Sequence, residues 1–228
     1  MAEVQAKRSS GRGRSITFEG GEGTGTSTQI KKLAERLNAA KLRTLVTREP
    51  GGSPGAEIMR HLVLSGMGKL LGSDAETLLF AAARDDHVRT VIEPALNQGT
   101  WVLCDRFFDS TRAYQGSLGS VPMGVIKAMQ RVTIGDLKPD LTIILDLPVE
   151  LGLKRAAERR SSGTPDRFEG EDLRFHEELR QAYRQIAAED PQRCALIDAD
   201  ADPETVAARV WKALRDHVFT LPTSASTA

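Results

Sequence analysis

The stretch Gly20, Gly21, Glu22, Gly23, Thr24, Gly25, Thr26, Ser27, Thr28 has the residue types and spacing to hold a chain of phosphates. It matches the phosphate-loop pattern G-x-x-x-x-G-K-[ST] at Gly20, Gly25 and Ser27, and departs from it at Thr26, where the pattern has lysine. Glycines let the backbone curl so that successive N–H groups face phosphate oxygens. A helix beginning directly afterwards adds its N-terminal partial charge and free N–H donors. Ser27 is placed to put a hydroxyl on Mg²⁺. Thr26 removes the cation that would reach the outer phosphates. The loop therefore points to nucleotide binding and leaves fast turnover unassured; the bland reading is an incidental glycine turn.

Other charged residues fall where chemistry could use them. Asp105-Arg106 follows the apolar run Trp101-Val-Leu-Cys104. An aspartate there can hold Mg²⁺, and an arginine can clamp a phosphate with two N–H groups. The alternative is a local ion pair. Thr47-Arg48-Glu49-Pro50-Gly51-Gly52 ends a second apolar run in a turn. Phe80 and Arg84, at i and i+4, share a helix face and could stack on a base and bond its edge; Phe80 alone reads more simply as core. Lys154, Arg155, Arg159, Arg160 and Arg167 leave a helix and enter a Ser/Gly/Pro loop. Cations on a hinged segment suit a lid over transferring phosphates, and a solvated loop is the plain alternative.

These groups need elements to bring them together. Strand-like runs are Ser15–Phe18, Thr44–Thr47, Trp101–Asp105, Leu141–Asp146 and Ala195–Asp198, near-continuously apolar as in a parallel sheet covered on both faces. Helical patterns fill the intervals: Thr28–Ala40, Gly55–Leu64, Asp74–Gln98, Pro122–Ile134, Pro148–Arg160, Asp172–Glu189 and Pro203–Val218. Ile30, Leu33, Ala34 and Leu37 recur at i, i+3, i+4 and i+7, one buried stripe. Alternating strand and helix predicts right-handed crossovers and a three-layer α/β fold with a five-stranded parallel sheet. Ligands then gather at the carboxyl ends of the strands, where Glu19, Arg48, Asp105 and Asp146 lie.

Composition narrows the classes. The 31 basic and 31 acidic residues balance, so no overall field favours nucleic acid or an acidic membrane. No apolar run approaches the ~18 residues a membrane span needs. The basic start (Lys7, Arg8, Arg12, Arg14) lacks the apolar core of a secretory signal. Residues 1–14 and 219–228 are expected to be flexible tails around one domain at 15–218, with a lid at about 154–171. Cys104 and Cys194 sit in apolar runs, as buried thiols of a reducing cytoplasm do, and the four histidines show no ligand spacing.

Taken together, Phe18-Glu-Gly-Gly-Glu-Gly-Thr-Gly25, Thr47-Arg-Glu-Pro-Gly-Gly52, Leu79-Phe-Ala-Ala-Ala-Arg84, Asp105-Arg106 with Ser110-Thr-Arg-Ala-Tyr-Gln-Gly116, and the basic lid resemble the bacterial thymidylate kinases, in that family's order over about residues 15–215. The resemblance implies a P-loop kinase fold, transfer of the γ-phosphoryl of ATP to dTMP with Mg²⁺ to give dTDP, and a cytoplasmic homodimer. It implies that Gly20 to Thr28 hold ATP, and that Ser27 and Asp105 hold the metal. Glu22 would face the sugar 3′-hydroxyl and the metal. Arg48 and Arg106 would fix the acceptor phosphate, with Pro50, Ser110 and Gln115 around the acceptor. Phe80 would stack on thymine, Arg84 would bond its edge, and Thr111 and Tyr114 would read the base and crowd the sugar 2′ position. With no arginine in the loop, the catalytic arginine would come from Arg155, Arg159, Arg160 or Arg167. The resemblance also leads us to expect no covalent intermediate and no general base of unusual pKa. Phe107 departs where many members have tyrosine or histidine, and Thr26 where the family has lysine. A kinase for another nucleoside monophosphate, or a nucleotide-binding protein without turnover, are the alternatives.

Overall fold

The computed structural model describes residues 11–65, 67–159, 168 and 170–219. Arg160 and Arg167 of the expected lid, and most of both expected tails, lie outside them. Of the tails' described parts, Gly13 N–H donates to Leu96 O (2.7 Å), Arg14 pairs with Asp140 (2.6 Å), and Phe219 packs on Trp101.

All five strands are parallel: β1 (Ser15–Gly20), β2 (Thr44–Arg48), β3 (Trp101–Asp105), β4 (Leu141–Asp146) and β5 (Cys194–Asp198), in the order β2-β3-β1-β4-β5. The chain leaves β1, crosses outward to β2, returns to β3 beside β1, and then passes to the other side as β4. This reversal next to β1 is where open α/β sheets bind ligands. It is a P-loop kinase fold of the three-layer α/β type.

Two-residue alternation divides the side chains between the faces. Ile16 and Phe18 of β1, with Leu141, Ile143 and Leu145 of β4, pack under α1 (Thr26–Ala39) and α9 (Pro203–Leu214). Val102 and Cys104 of β3, and Ile144 of β4, face the opposite layer. That layer includes α3 (Met67–His87), the short α5 (Phe108–Thr111) and α8 (Leu173–Glu189). On this second side β1 presents polar groups, Thr17 and Glu19, both fully buried. Two-sided burial holds for the central strands but fails at the edges, where Val46 of β2 and Leu196 of β5 are about half exposed. An edge strand has only one neighbour to cover it.

The predicted long helix at 74–98 is broken up. α3 bends at Gly72 (φ 80°), two residues before the predicted start; inside the predicted span a π turn occupies Val88–Ile92, and α4 (Glu93–Asn97) completes the run. Helical patterns at 55, 122 and 148 appear as α2 (Pro54–Leu64), α6 (Met123–Ile134) and α7 (Val149–Arg159). Residues Arg112–Leu118, where no helix is expected, form a π-helical turn continuing α5.

Candidate active site

The phosphate loop joins β1 to α1 at the centre of the sheet. Gly25 caps α1 in the left-handed region (φ 93°) with no side-chain hydrogen bond, so the first-turn N–H groups remain available. At Gly23 (φ 67°) an added Cβ would lie 2.0 Å from Gly152 O, so the loop rests directly on the first turns of α7. Thr24 Oγ1 donates to Gly21 O (2.9 Å), holding the curl from inside. Thr26 opens α1, and Ser27 Oγ donates to Asp105 Oδ2 at 3.0 Å. Thus the two oxygen groups expected to hold a metal converge from different strands' ends. Beside the loop, a cavity of about 500 Å³ runs between Gly23, Thr24, Gly25 and Thr28 and the β5–α9 connection, with Arg155 in its wall. Arg155 also donates to Ala199 O (3.4 Å). The side chain of Arg159, at the end of α7, lies outside the described residues.

A second cavity, of about 110 Å³, has Glu22 of the loop in its wall. It gathers Glu22, Pro50, Phe80, Arg84, Arg106, Ser110, Thr111, Tyr114 and Gln115, which lie far apart in sequence. Phe80 is half-buried and faces this space, so the core reading of it does not hold. Arg106 sits in the turn after β3 with φ 67°, a left-handed conformation uncommon for a side-chain-bearing residue. Its N–H donates to Phe18 O (2.8 Å), tying the turn to the end of β1. Its guanidinium reaches Glu22 (3.2 Å), Tyr183 OH (3.3 Å) and Ser110 Oγ (3.4 Å), and lies over the Tyr114 ring. The Tyr114 hydroxyl is buried and makes no hydrogen bond within the described residues.

Arg84 is buried and donates to Glu49 (2.7 Å) and to Phe107 O (3.2 Å). Glu49 also meets His87 Nδ1 (3.2 Å), whose other ring nitrogen pairs with Thr47 Oγ1 (2.7 Å). The fold thus supplies a histidine–carboxylate contact that spacing along the chain does not show. Cys104 is close enough to Glu49 and His87 to form a ligand-like group, but Glu49 is already engaged by Arg84. Arg48 behaves differently. It is exposed, pairs with Glu57 of α2 (2.9 Å), and does not line the cavity.

Two groups that the sequence reading places at strand ends without a role gain close partners here. Asp146, at the end of β4, receives paired N–H donors from both Arg180 and Arg184 of α8. Burial would raise its pKa, yet the two guanidinium groups hold it below the ordinary aspartate range. Glu19 is fully buried, and desolvation, aided by Asp109, pushes its carboxyl up to about 7. A carboxyl of unusual pKa therefore lies beside the site, though not as a general base. The available signal was strand alternation, which puts Glu19 on the same buried face as Thr17.

Comparison with known proteins bears on this arrangement. The family model described as "Thymidylate kinase" matches residues 18–210. A "Thymidylate kinase" of Bradyrhizobium diazoefficiens is 80% identical over 226 residues, covering 99% of this chain and 98% of its own. One from Nitrobacter winogradskyi is 74% identical over 220 residues, covering 96% of each. The chain belongs to the thymidylate kinase family. A crystal structure of thymidylate kinase from Ehrlichia chaffeensis matches with a TM-score of 0.73 at 32% identity, over 89% of this chain and 99% of that one. The family places this member among the nucleoside monophosphate kinases, enzymes transferring phosphoryl from ATP, here to dTMP to give dTDP. Among the described residues no helix is long and apolar enough to cross a membrane.

Proposed function

We propose that this chain carries out that transfer across Glu22, with ATP on the loop side and dTMP in the smaller cavity. The observation that carries the reading is the carboxylate–guanidinium pair, 3.2 Å apart, that joins Glu22 of the phosphate loop to Arg106 in the wall of the smaller cavity. Loop N–H groups and the α1 terminus would hold the donor phosphates, and the larger cavity, with Arg155, would take the adenosine. Arg106 would grip the acceptor phosphate, Phe80 would stack on the base, and Arg84, aligned by Glu49, would bond its edge. Tyr114, Thr111 and Gln115 would wall the sugar and base. Arg48 would join them only by leaving Glu57.

Ser27 and Asp105 offer hard oxygen donors 3.0 Å apart, which fits Mg²⁺. Bound there, Mg²⁺ would neutralise charge on the donor phosphates. In-line transfer then asks the protein for positioning and charge stabilisation. Arg155, with Arg159, Arg160 and Arg167, would supply lid cations, and Thr26 would leave the transition state short of one charge. A homodimer is what the family resemblance implies; it would be expected to cover apolar side chains such as Leu78 of α3 and Val132 of α6, 55% and 83% exposed. Both cysteines are free thiols, in keeping with a reducing cytoplasm.

Turnover of dTMP, dUMP, UMP, CMP and AMP under one coupled assay tests the acceptor. The expected order has dTMP first, dUMP weaker and ribonucleotides negligible. A ribonucleotide equal to dTMP would assign another acceptor, while tight binding of ATP and dTMP with no dTDP would mark a binding protein.

A further inference from the structure

Glu19 has no role in the proposed function, yet it bonds two of the side chains that hold Arg106 and the chain just after it. Oε1 accepts from the main-chain N–H of Phe107 (2.8 Å) and of Ser110 (3.3 Å), two residues flanking the left-handed turn. Oε2 accepts from Ser110 Oγ (2.6 Å) and Tyr183 OH (3.1 Å). Those same two hydroxyl oxygens face the Arg106 guanidinium at 3.4 and 3.3 Å. A guanidinium only donates, so it needs lone pairs. Each hydroxyl has a single hydrogen, and although the two oxygens also lie 2.9 Å apart, an ionised Glu19 is the stronger, charged acceptor for both hydrogens, leaving lone pairs for Arg106.

We propose that Glu19 is a positioning residue for acceptor binding, orienting the Ser110 and Tyr183 hydroxyls so that they hold Arg106 against the acceptor phosphate. The inference rests on Arg106 being the acceptor-phosphate residue. When Glu19 takes a proton on Oε2, that oxygen becomes a donor. One of the two hydroxyls must then accept from it and turn its own hydrogen to the other hydroxyl oxygen, 2.9 Å away, occupying lone pairs that faced Arg106. The clamp loosens without any covalent change.

The groups facing Glu19 come from every neighbouring element. Arg106 and Asp109 approach from the β3–α5 segment, Cys104 from β3, Tyr114 from the π turn and Tyr183 from α8. Asp109 is itself engaged by Arg193 (2.6 Å) and Arg112 (2.9 Å). With its carboxyl raised to about 7 by burial and Asp109, Glu19 changes state where the enzyme would work.

The test is the pH profile of KM for dTMP and for ATP, in wild type and Glu19→Gln. The substrate phosphate titrates near pH 6 and contributes its own slope, which the variant retains. Wild type should show an additional fall in dTMP KM, on the order of tenfold, as pH rises through about 7, the difference between neutral and charge-assisted hydrogen bonds. Glu19→Gln should lack that fall and keep the higher KM, with ATP KM unmoved. Tyr183→Phe keeps the carboxylate but removes one donor, so the midpoint should move upward. An unaltered dTMP profile in Glu19→Gln, or a change confined to melting temperature and kcat, overturns the inference. Should Glu19→Gln not fold, an unmoved midpoint in Tyr183→Phe overturns it instead. Arg106→Ala separates the two levels: a dTMP KM unaffected by that change would overturn the reading of the acceptor site, and this inference with it.

Discussion

On the loop side of Glu22, what can face the donor phosphates is main-chain N–H from Gly20 to Thr28 and short hydroxyls, with one glycine resting on another at Gly23 and Gly152. On the other side the acceptor cavity is built from long side chains whose charges are paired in depth: Arg84 with Glu49, Arg106 with Glu22, and Glu19 beneath them. A main-chain cradle tolerates a lost side chain because its donors do not depend on residue type. A side-chain cradle does not, because each removed partner leaves another buried charge or dipole unanswered. The substitution at Thr26 falls in the tolerant half. This difference predicts that changes at the loop act on rate, whereas changes at the acceptor side act on affinity and on the fold itself.

The largest expected effect is on the acceptor side. Arg84→Ala leaves Glu49 buried with a hydrogen bond to His87, a ring that can be neutral, in place of its guanidinium partner, and breaking a buried pair from one end costs about 3–5 kcal/mol. Adding Glu49→Gln should recover much of that loss, because the unanswered charge disappears. Denaturant unfolding of both single variants and the double variant checks this. Strict additivity would show that the pair is not coupled, and would weaken the contrast between the two halves.

Thr26→Lys probes the other half. Loop N–H groups already hold ground-state phosphates, so a restored cation should act mainly as charge spreads in the transition state. By analogy with single electrostatic donors, kcat should rise about 10²–10³-fold, or ~3–4 kcal/mol, with little change in ATP affinity. Steady-state kinetics at saturating Mg²⁺ measures it. An unchanged kcat would mean that Arg155 and the lid cations already supply the charge.

Glu19 should make the acceptor side costly at neutral pH. Its carboxyl titrates near 4.5 when unfolded and at about 7 in the fold. Between those values the folded state binds more protons, so stability falls as pH rises through the window and the loss is complete above it. A shift of that size corresponds to about 3 kcal/mol. Asp146, held low by Arg180 and Arg184, has the opposite sign and loses its contribution as pH falls. Glu19→Gln should therefore melt higher than wild type at about pH 8, with the gap closing toward pH 4. A lower melting temperature at pH 8 would show that the hydrogen bonds to the carboxylate outweigh its burial.

The two halves also differed in legibility. Glycine spacing, strand before and helix after made the loop readable, because a main-chain site is written in consecutive residues. The parallel sheet followed from five apolar runs, all observed within two residues of their predicted ends. Arg106, Ser110, Tyr114 and Phe80 were readable through family motifs. Tyr183, Asp146's two arginines and the role of Glu19 were not, since they depend on where α8 packs across β1 and β4. Arg48 shows the reverse limit: a motif marks it, yet its side chain turns outward to Glu57. The break of the long helix at Val88 also escaped the pattern, because apolar periodicity persists through a π turn.

The smallest of these effects tests the cavity most directly. Phe80 lies one turn from Arg84 on α3 and faces the acceptor space half-buried, so its ring already contacts solvent on one side. Removing it deletes a stacking face more than it empties a core. Phe80→Ala should weaken dTMP binding by roughly 1–3 kcal/mol, as for other base–aromatic contacts. Melting temperature should fall less than the roughly 3–5 kcal/mol of a buried phenylalanine would require. ATP affinity should not change, since this ring lines the acceptor cavity and not the one beside the loop. Calorimetric titration of dTMP, beside a thermal melt of the same preparation, separates the outcomes. A large loss of stability with dTMP affinity intact would return Phe80 to the core and leave the base without its stacking partner.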